Sequence, residues 1–290
     1  VVVIDDVLMG ITHVVRGDDH LSNSPKQVQL YEALGAKTPV FAHVPLILGP
    51  DRKRLSKRHG ATSVLSYRDE GYLPAAMANY LARLGWSHGD QEIFSIDELI
   101  AAFSLEHVGK SPGVWDPDKL AWVQGQHVAG LSNAELAEAL RPFLRSAGHD
   151  PSDPLLALRV ETLRGRARLL PEFIEAGRFY WCDDDAIEAS RDLRATQKFL
   201  TPAAAPLLEA ALETLGGLSS WDASAIEAAL TPLLERFGVG MGKLAQPIRV
   251  ALTGTSVSPG LFESIAALGI DKTLPRLRRG VALCAGLGTE

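Results

Sequence analysis

The sequence predicts a mainly α-helical protein: a short α/β segment at the start, then a close-set array of helices to the end. Three observations predict it. β-branched runs are confined to the first fifty residues. Beyond residue 63, apolar positions recur at helical spacing between Gly- and Pro-marked links. All eight histidines fall at or before His149, whereas residues 151–290 carry 15 Lys and Arg against 17 Asp and Glu. The two halves therefore differ in side-chain chemistry as well as in periodicity.

Residues 1–5 and 11–15 read as strands joined in a hairpin by Asp6-Val7-Leu8-Met9-Gly10. Ser24-Pro25 starts a helix with Pro at its first turn, and Gly35 stops it. Residues 40–48 form a further apolar run, ended by Gly49-Pro50. Helices follow at 63–70, 74–84, 96–103 behind the capping box Ser95…Glu98, 117–123, and 133–146 behind Ser132…Glu135. Later come 154–169, 171–179, 186–193, 202–215, 223–237, 243–252, 259–268 and 272–284. The expected division is 1–62, 63–130 and 131–290, with a further break near 181–185.

With 46% hydrophobic and 22% charged residues among 290, the chain has apolar surface for a core and is not wholly disordered. A net charge of −6 excludes a histone-like polycation, so any nucleic-acid contact must come from a local patch. The longest apolar stretches are too short to span a bilayer, so no membrane association is expected. Cys182 and Cys284 form no C-x-x-C pair. Neither a disulfide framework nor structural zinc is expected, and the default is a reducing cytoplasm. The chain opens Val1-Val2-Val3-Ile4 without a methionine, which leads us to expect further residues upstream.

The sharpest motif is Gly49-Pro50-Asp51-Arg52-Lys53-Arg54-Leu55-Ser56-Lys57-Arg58-His59-Gly60, where five of residues 52–58 are cationic. Like charges repel unless an anion is brought to them, so this run, read as a flexible loop, suits a polyphosphate. A solvated surface loop is the plainer alternative. Gly109-Lys110-Ser111 is no P-loop, because the first glycine of that motif would fall at Ser104. His107-Val108-Gly109 follows the basic run and is not read as a nucleotide site. Asp5-Asp6 and Asp18-Asp19 are paired carboxylates that suit metal or acid/base chemistry, or alternatively turns and caps, the better reading for Asp5-Asp6. Arg16-Gly17-Asp18-Asp19-His20 lies at a strand end, where α/β sites form. Trp86, Trp115, Trp122 and Trp221 are expected to be core anchors. Arg159, Arg164, Arg166 and Arg168 crowd one helix, and Arg276, Arg278 and Arg279 another; these are candidate RNA contacts or solvated faces.

Arg54-Leu55-Ser56-Lys57-Arg58-His59-Gly60 resembles the "KMSKS" signature of class I aminoacyl-tRNA synthetases, in the form used by bacterial-type glutamyl-tRNA synthetases. Met9-Gly10-Ile11-Thr12-His13-Val14-Val15-Arg16-Gly17-Asp18-Asp19-His20 is similar to that family's strand and turn. Gly242-Lys243-Leu244-Ala245-Gln246-Pro247-Ile248-Arg249 and Ser258-Pro259-Gly260-Leu261-Phe262 resemble its anticodon-binding region. The likeness covers essentially the whole chain and corresponds to the C-terminal three-fifths of the family. It implies the end of a Rossmann-type catalytic domain (1–62), a helical stem-contact region (63–130) and an all-α anticodon-binding array (131–290).

The implied activity is ATP-dependent activation of L-glutamate and its transfer to the 3′ end of glutamate tRNA, with Mg²⁺ accompanying the ATP. Lys57 would be catalytic, acting on the ATP phosphates with Arg54, Leu55, Ser56 and Arg58. Arg16, with His20 beside it, would meet a carboxylate of glutamate. Arg159, Arg164, Arg166, Arg168 and Arg276 would contact the tRNA. A cytoplasmic monomer is expected. Residues 1–290 alone are expected to bind tRNA without forming the adenylate. The alternative is a non-catalytic tRNA-binding module.

Overall fold

A computed structural model describes residues 1–56 and 63–286. The chain divides into two compact units, Val1–Gly130 and Leu131–Glu290.

The first unit begins with a helix, α1 (Val2–Leu8), where a strand was expected. Its β-branched residues favour extension, but packing decides against it. Val3 is buried, and α1 lies against α2 (Ser24–Ala33). The Tyr31 hydroxyl on α2 donates to Asp6 at 2.7 Å. Burial, with the Asp6 carboxylate beside it, pushes the Tyr31 hydroxyl up to about 12, so it stays a donor. The expected hairpin is likewise absent. Strand β1 (His13–Gly17) instead pairs in parallel with β2 (Val40–Val44), in a register running from His13 opposite Val40 to Gly17 opposite Val44. Helix α2 is the crossover that a parallel pair requires. Gly35, just past the end of α2, takes φ +63°, a conformation open to glycine.

Four helices complete the unit: α3 (Val64–Asp69), α4 (Pro74–Gly85), α5 (Ile96–Ala102) and α6 (Pro117–Gly130). The Ser95–Glu98 capping box forms as its sequence requires. Buried amides join α4 and α6 to the intervening loops. Asn79 Oδ1 accepts from the Phe94 amide (2.9 Å) and pairs with His127 Nε2 (3.0 Å); Gln124 Oε1 accepts from the Leu73 amide (2.9 Å). Burial depresses the His127 pKa, so the ring is neutral and its Nε2 carries the proton given to Asn79. Trp86 and Trp115 are core residues as expected. Trp122 is not: it is 39% exposed, with Lys119 Nζ 4.3 Å from its ring centre.

The second unit is helical throughout its described residues: α7 (Asn133–Ser146), α8 (Leu156–Leu163), α9 (Leu170–Ala176), α10 (Arg178–Trp181), α11 (Asp184–Ala189), α12 (Leu193–Phe199), α13 (Ala205–Gly216), α14 (Ala223–Leu230), α15 (Pro232–Phe237), α16 (Met241–Thr253), α17 (Leu261–Leu268) and α18 (Ile270–Cys284). Pro232 divides the helix expected over 223–237, because it cannot donate within the preceding turn. The helix expected over 186–193 starts earlier, on the Asp183 cap, and ends at Ala189, while Asp192 caps α12, a helix the sequence pattern does not predict. Helix α18 packs on both α13 and α16. The α16 contact is close: a Cβ at Gly280 would lie 2.6 Å from that of Ala251.

Candidate functional site

Strand β1 ends at Gly17, and the chain turns at once into a 3-10 turn, Asp18–Asn23. The turn folds Asp19 back so tightly that a Cβ on Gly17 would sit 2.6 Å from Asp19 Oδ1. Only glycine fits there without displacing that carboxylate. Asp19 Oδ2 in turn lies 3.0 Å from Arg54 Nη2. The carboxyl end of β1 and the start of the basic run are thereby brought together.

The described start of the basic run is a hairpin. The Gly49 amide donates to Lys53 O at 2.7 Å, and the Leu55 amide to Ile47 O at 2.9 Å. Arg52, at the tip, takes φ +58°. Leu48 is flanked by Arg54 on one side and Val114 on the other. Leu55 is half-buried, and Arg54 and Ser56 are exposed. Lys57 and Arg58 lie outside the described residues, as do His59 and Gly60.

On β1, the Arg16 side chain is half-buried. Its Nη2 donates to Ser24 Oγ (2.9 Å) and Gln27 Oε1 (2.8 Å), and its carbon Cζ lies 5.3 Å from the Phe41 ring centre. Ser24 Oγ is 3.0 Å from His43 Nε2. His20 is exposed, with Nδ1 3.3 Å from Asn23 Nδ2 and Nε2 4.0 Å from Asp19 Oδ1. Sequence reasoning missed Ser24, Gln27, His43 and the role of Asp19. Ser24 registered only as a helix start, and His43 was hidden within an apolar run. Among the described residues, no group of three or more His, Cys, Asp or Glu is arranged to hold a metal ion. A cavity of about 470 Å³ beside Asp6, Tyr31 and Lys37 opens at the amino ends of both strands. Ligands of parallel sheets bind at the other end.

In the second unit the five candidate arginines separate by environment. Arg276 is only 2% exposed, and Arg159 only 6%. Arg276 donates to Asp184 Oδ1 (2.7 Å) and to the carbonyls of Phe179 (2.7 Å), Leu252 (2.9 Å) and Cys182 (3.1 Å). Arg159 pairs with Asp153 and donates to Ala267 O (2.9 Å) and Tyr180 O (3.3 Å). Neither guanidinium can reach a phosphate, so the expectation of RNA contact fails for both. They satisfy buried helix-end carbonyls that would otherwise be orphaned. Arg164 is half-buried and donates to Leu131 O (2.6 Å) and Asn133 Oδ1 (2.9 Å).

Arg166 and Arg168 are exposed. Arg166 donates to Ser258 O, and Arg249 donates to Ser258 Oγ at 2.8 Å. Two guanidiniums thus converge on one serine. Burial first, and Arg166 second, depress the Arg249 pKa. An anion here would relieve that repulsion.

The first unit matches the family described as tRNA synthetases class I (E and Q), catalytic domain, over residues 1–122. The second matches the anticodon binding domain over residues 135–281. The glutamate–tRNA ligase of Geobacter sulfurreducens is 52% identical over 283 residues, covering 97% of this chain and 60% of that relative. That of Syntrophobacter fumaroxidans is 50% identical over 281 residues, with shares of 97% and 59%. The chain thus spans about 60% of the length of the curated relatives it matches. A crystal structure of a glutamate tRNA ligase from Elizabethkingia meningosepticum, in complex with its amino acid, superposes with a TM-score of 0.78 at 32% identity. It covers 96% of this chain and 58% of that one.

Proposed function

The chain belongs to the class I (E and Q) tRNA synthetases, and from that premise we propose that it works as part of a glutamate–tRNA ligase. In the proposed reaction the glutamate α-carboxylate attacks the α-phosphorus of ATP and releases pyrophosphate. A terminal ribose hydroxyl of glutamate tRNA then attacks the acyl carbon and releases AMP. The observation that carries the reading is the Asp19–Arg54 contact, which brings Arg54 to the turn at the carboxyl end of β1. Arg54, Leu55, Ser56, Lys57 and Arg58 would face the ATP phosphates. Lys57 would stabilise charge developing on the α-phosphate. Arg16 would receive a carboxylate of glutamate, with His20 lining the same pocket. Mg²⁺ would arrive with ATP, ligated chiefly by its phosphates.

In this reading residues 1–62 belong to the catalytic domain, 63–130 contact the tRNA stem, and 131–290 bind the anticodon region. Arg166 and Arg168 would face the tRNA, and the convergence of Arg166 with Arg249 supports adding Arg249 to them. No described helix is long and apolar enough to cross a membrane, and the proposed setting is a cytoplasmic monomer. Glutamate-dependent ATP–pyrophosphate exchange, with charging of glutamate tRNA, tests the proposal. Binding of tRNA without exchange by the full-length protein would favour the non-catalytic module instead.

A further inference from the structure

Arg16 carries a full positive charge in a half-buried place, yet its hydrogen-bond partners among the described residues bring no negative charge to it. Ser24 and Gln27 stand three residues apart on α2 and so share one face of that helix. His43 is the residue opposite Arg16 in the β1–β2 register. The local fold therefore delivers three polar side chains to one guanidinium.

One assignment of protons satisfies the group. Arg16 Nη2 donates one hydrogen to Ser24 Oγ and the other to Gln27 Oε1. The Ser24 hydroxyl donates onward to His43 Nε2, which must then be the unprotonated ring nitrogen. Arg16 Nε lies 3.5 Å from that same Nε2, at the limit of a hydrogen bond. The Nε–Nη2 edge is thus held, and among the described residues Nη1 has no hydrogen bond. A guanidinium gripped along one edge by neutral acceptors keeps its charge and a free nitrogen for an anion.

We propose that Ser24, Gln27 and His43 are positioning residues that fix Arg16 so that Nη1 meets a carboxylate of the amino-acid substrate. This rests on the assignment of Arg16 to the glutamate pocket. Neutrality of the collar is the distinguishing feature. A carboxylate at position 27 would be nearly isosteric yet would take the place of the substrate's own charge.

The test measures KM for glutamate and for ATP in pyrophosphate exchange by the full-length protein. Q27E is expected to raise the glutamate KM about tenfold or more and to leave the ATP KM within about twofold. Q27M, which removes the acceptor without adding charge, is expected to give a smaller rise. A merely structural role would rank Q27M as the worse of the two, since Glu fills the same space. S24A is expected to raise the glutamate KM and S24T to restore it, and this pair decides the matter should Q27E not fold. If R16A raises the glutamate KM while Q27E and S24A leave it unchanged, the positioning role is overturned and the Arg16 assignment stands. If R16A itself leaves the glutamate KM unchanged, the Arg16 assignment is overturned instead.

Discussion

Arg54 Nη2 lies 3.0 Å from Asp19 Oδ2, although a helix and a strand separate the two residues in the chain. The pair joins the turn after β1 to the hairpin that opens the basic run. Arg54 is largely exposed, so the contact contributes little to stability, on the order of 0.2–1 kcal/mol. Its effect is on placement. Asp19→Asn is expected to leave the melting temperature almost unchanged while lowering the rate of pyrophosphate exchange several-fold. Equal exchange rates in the two proteins would remove the tether from the reaction.

Lys57→Ala is expected to slow adenylate formation about 10²–10³-fold, the usual loss when one positioned transition-state partner is removed. Binding of tRNA should change far less. Exchange kinetics beside a filter-binding titration separate the two, and an unchanged exchange rate would end the assignment.

The arginines of the second unit should divide by assay. Arg166→Ala or Arg249→Ala is expected to weaken tRNA binding and to lower the salt slope of log K by about one for each phosphate no longer neutralised. Arg276→Met should instead destabilise the unit by about 3–5 kcal/mol, because Asp184 and three carbonyls lose their partner. Urea denaturation beside binding at several salt concentrations checks the division.

Gly280→Ala should cost about 1–3 kcal/mol by forcing α18 away from Ala251. Ala251→Gly in the same chain is expected to recover part of that stability. Additive rather than compensating effects in the denaturation midpoints would mean that the crossing is not the cause.

Acid sensitivity of the first unit should involve Glu92. Hydrogen bonding to Arg83, with Lys119 assisting and partial burial opposing, holds its carboxyl below the ordinary 4.5. A carboxyl depressed in the folded state contributes stability that is full above 4.5 and is lost as pH falls through the lower folded value. Unfolding followed from pH 6 downward should therefore show a steeper acid loss in the native chain than in Glu92→Gln. Parallel curves would contradict it.

Much of the architecture was legible because caps and breakers act locally. Ser95…Glu98 and Ser132…Glu135 mark helix starts whatever they pack against. Residues 1–5 misled because β-branched side chains prefer extension, and only contact with α2 makes them helical. The arginines misled for a related reason. Charge in a sequence says nothing of burial, and Arg276 looks the same on paper as Arg278 beside it. At the candidate site, Arg16, His20 and the basic run were readable as motifs. Ser24, Gln27 and His43 matter only through a strand register and a helix face, which no linear pattern announces.

Arg276 also bears on how long the second unit persists once folded. It gathers a carboxylate and three carbonyls from positions up to 97 residues earlier in the chain. Contacts between such distant segments cost loop-closure entropy and are expected to form late, once the helices that carry them have docked. A bond absent from the folding transition state leaves the folding rate alone and slows the reverse step. The buried guanidinium is thus expected to act as a latch: its loss should shorten the lifetime of the native unit, and hence its resistance to proteolysis when cleavage outpaces reclosing, more than it slows folding.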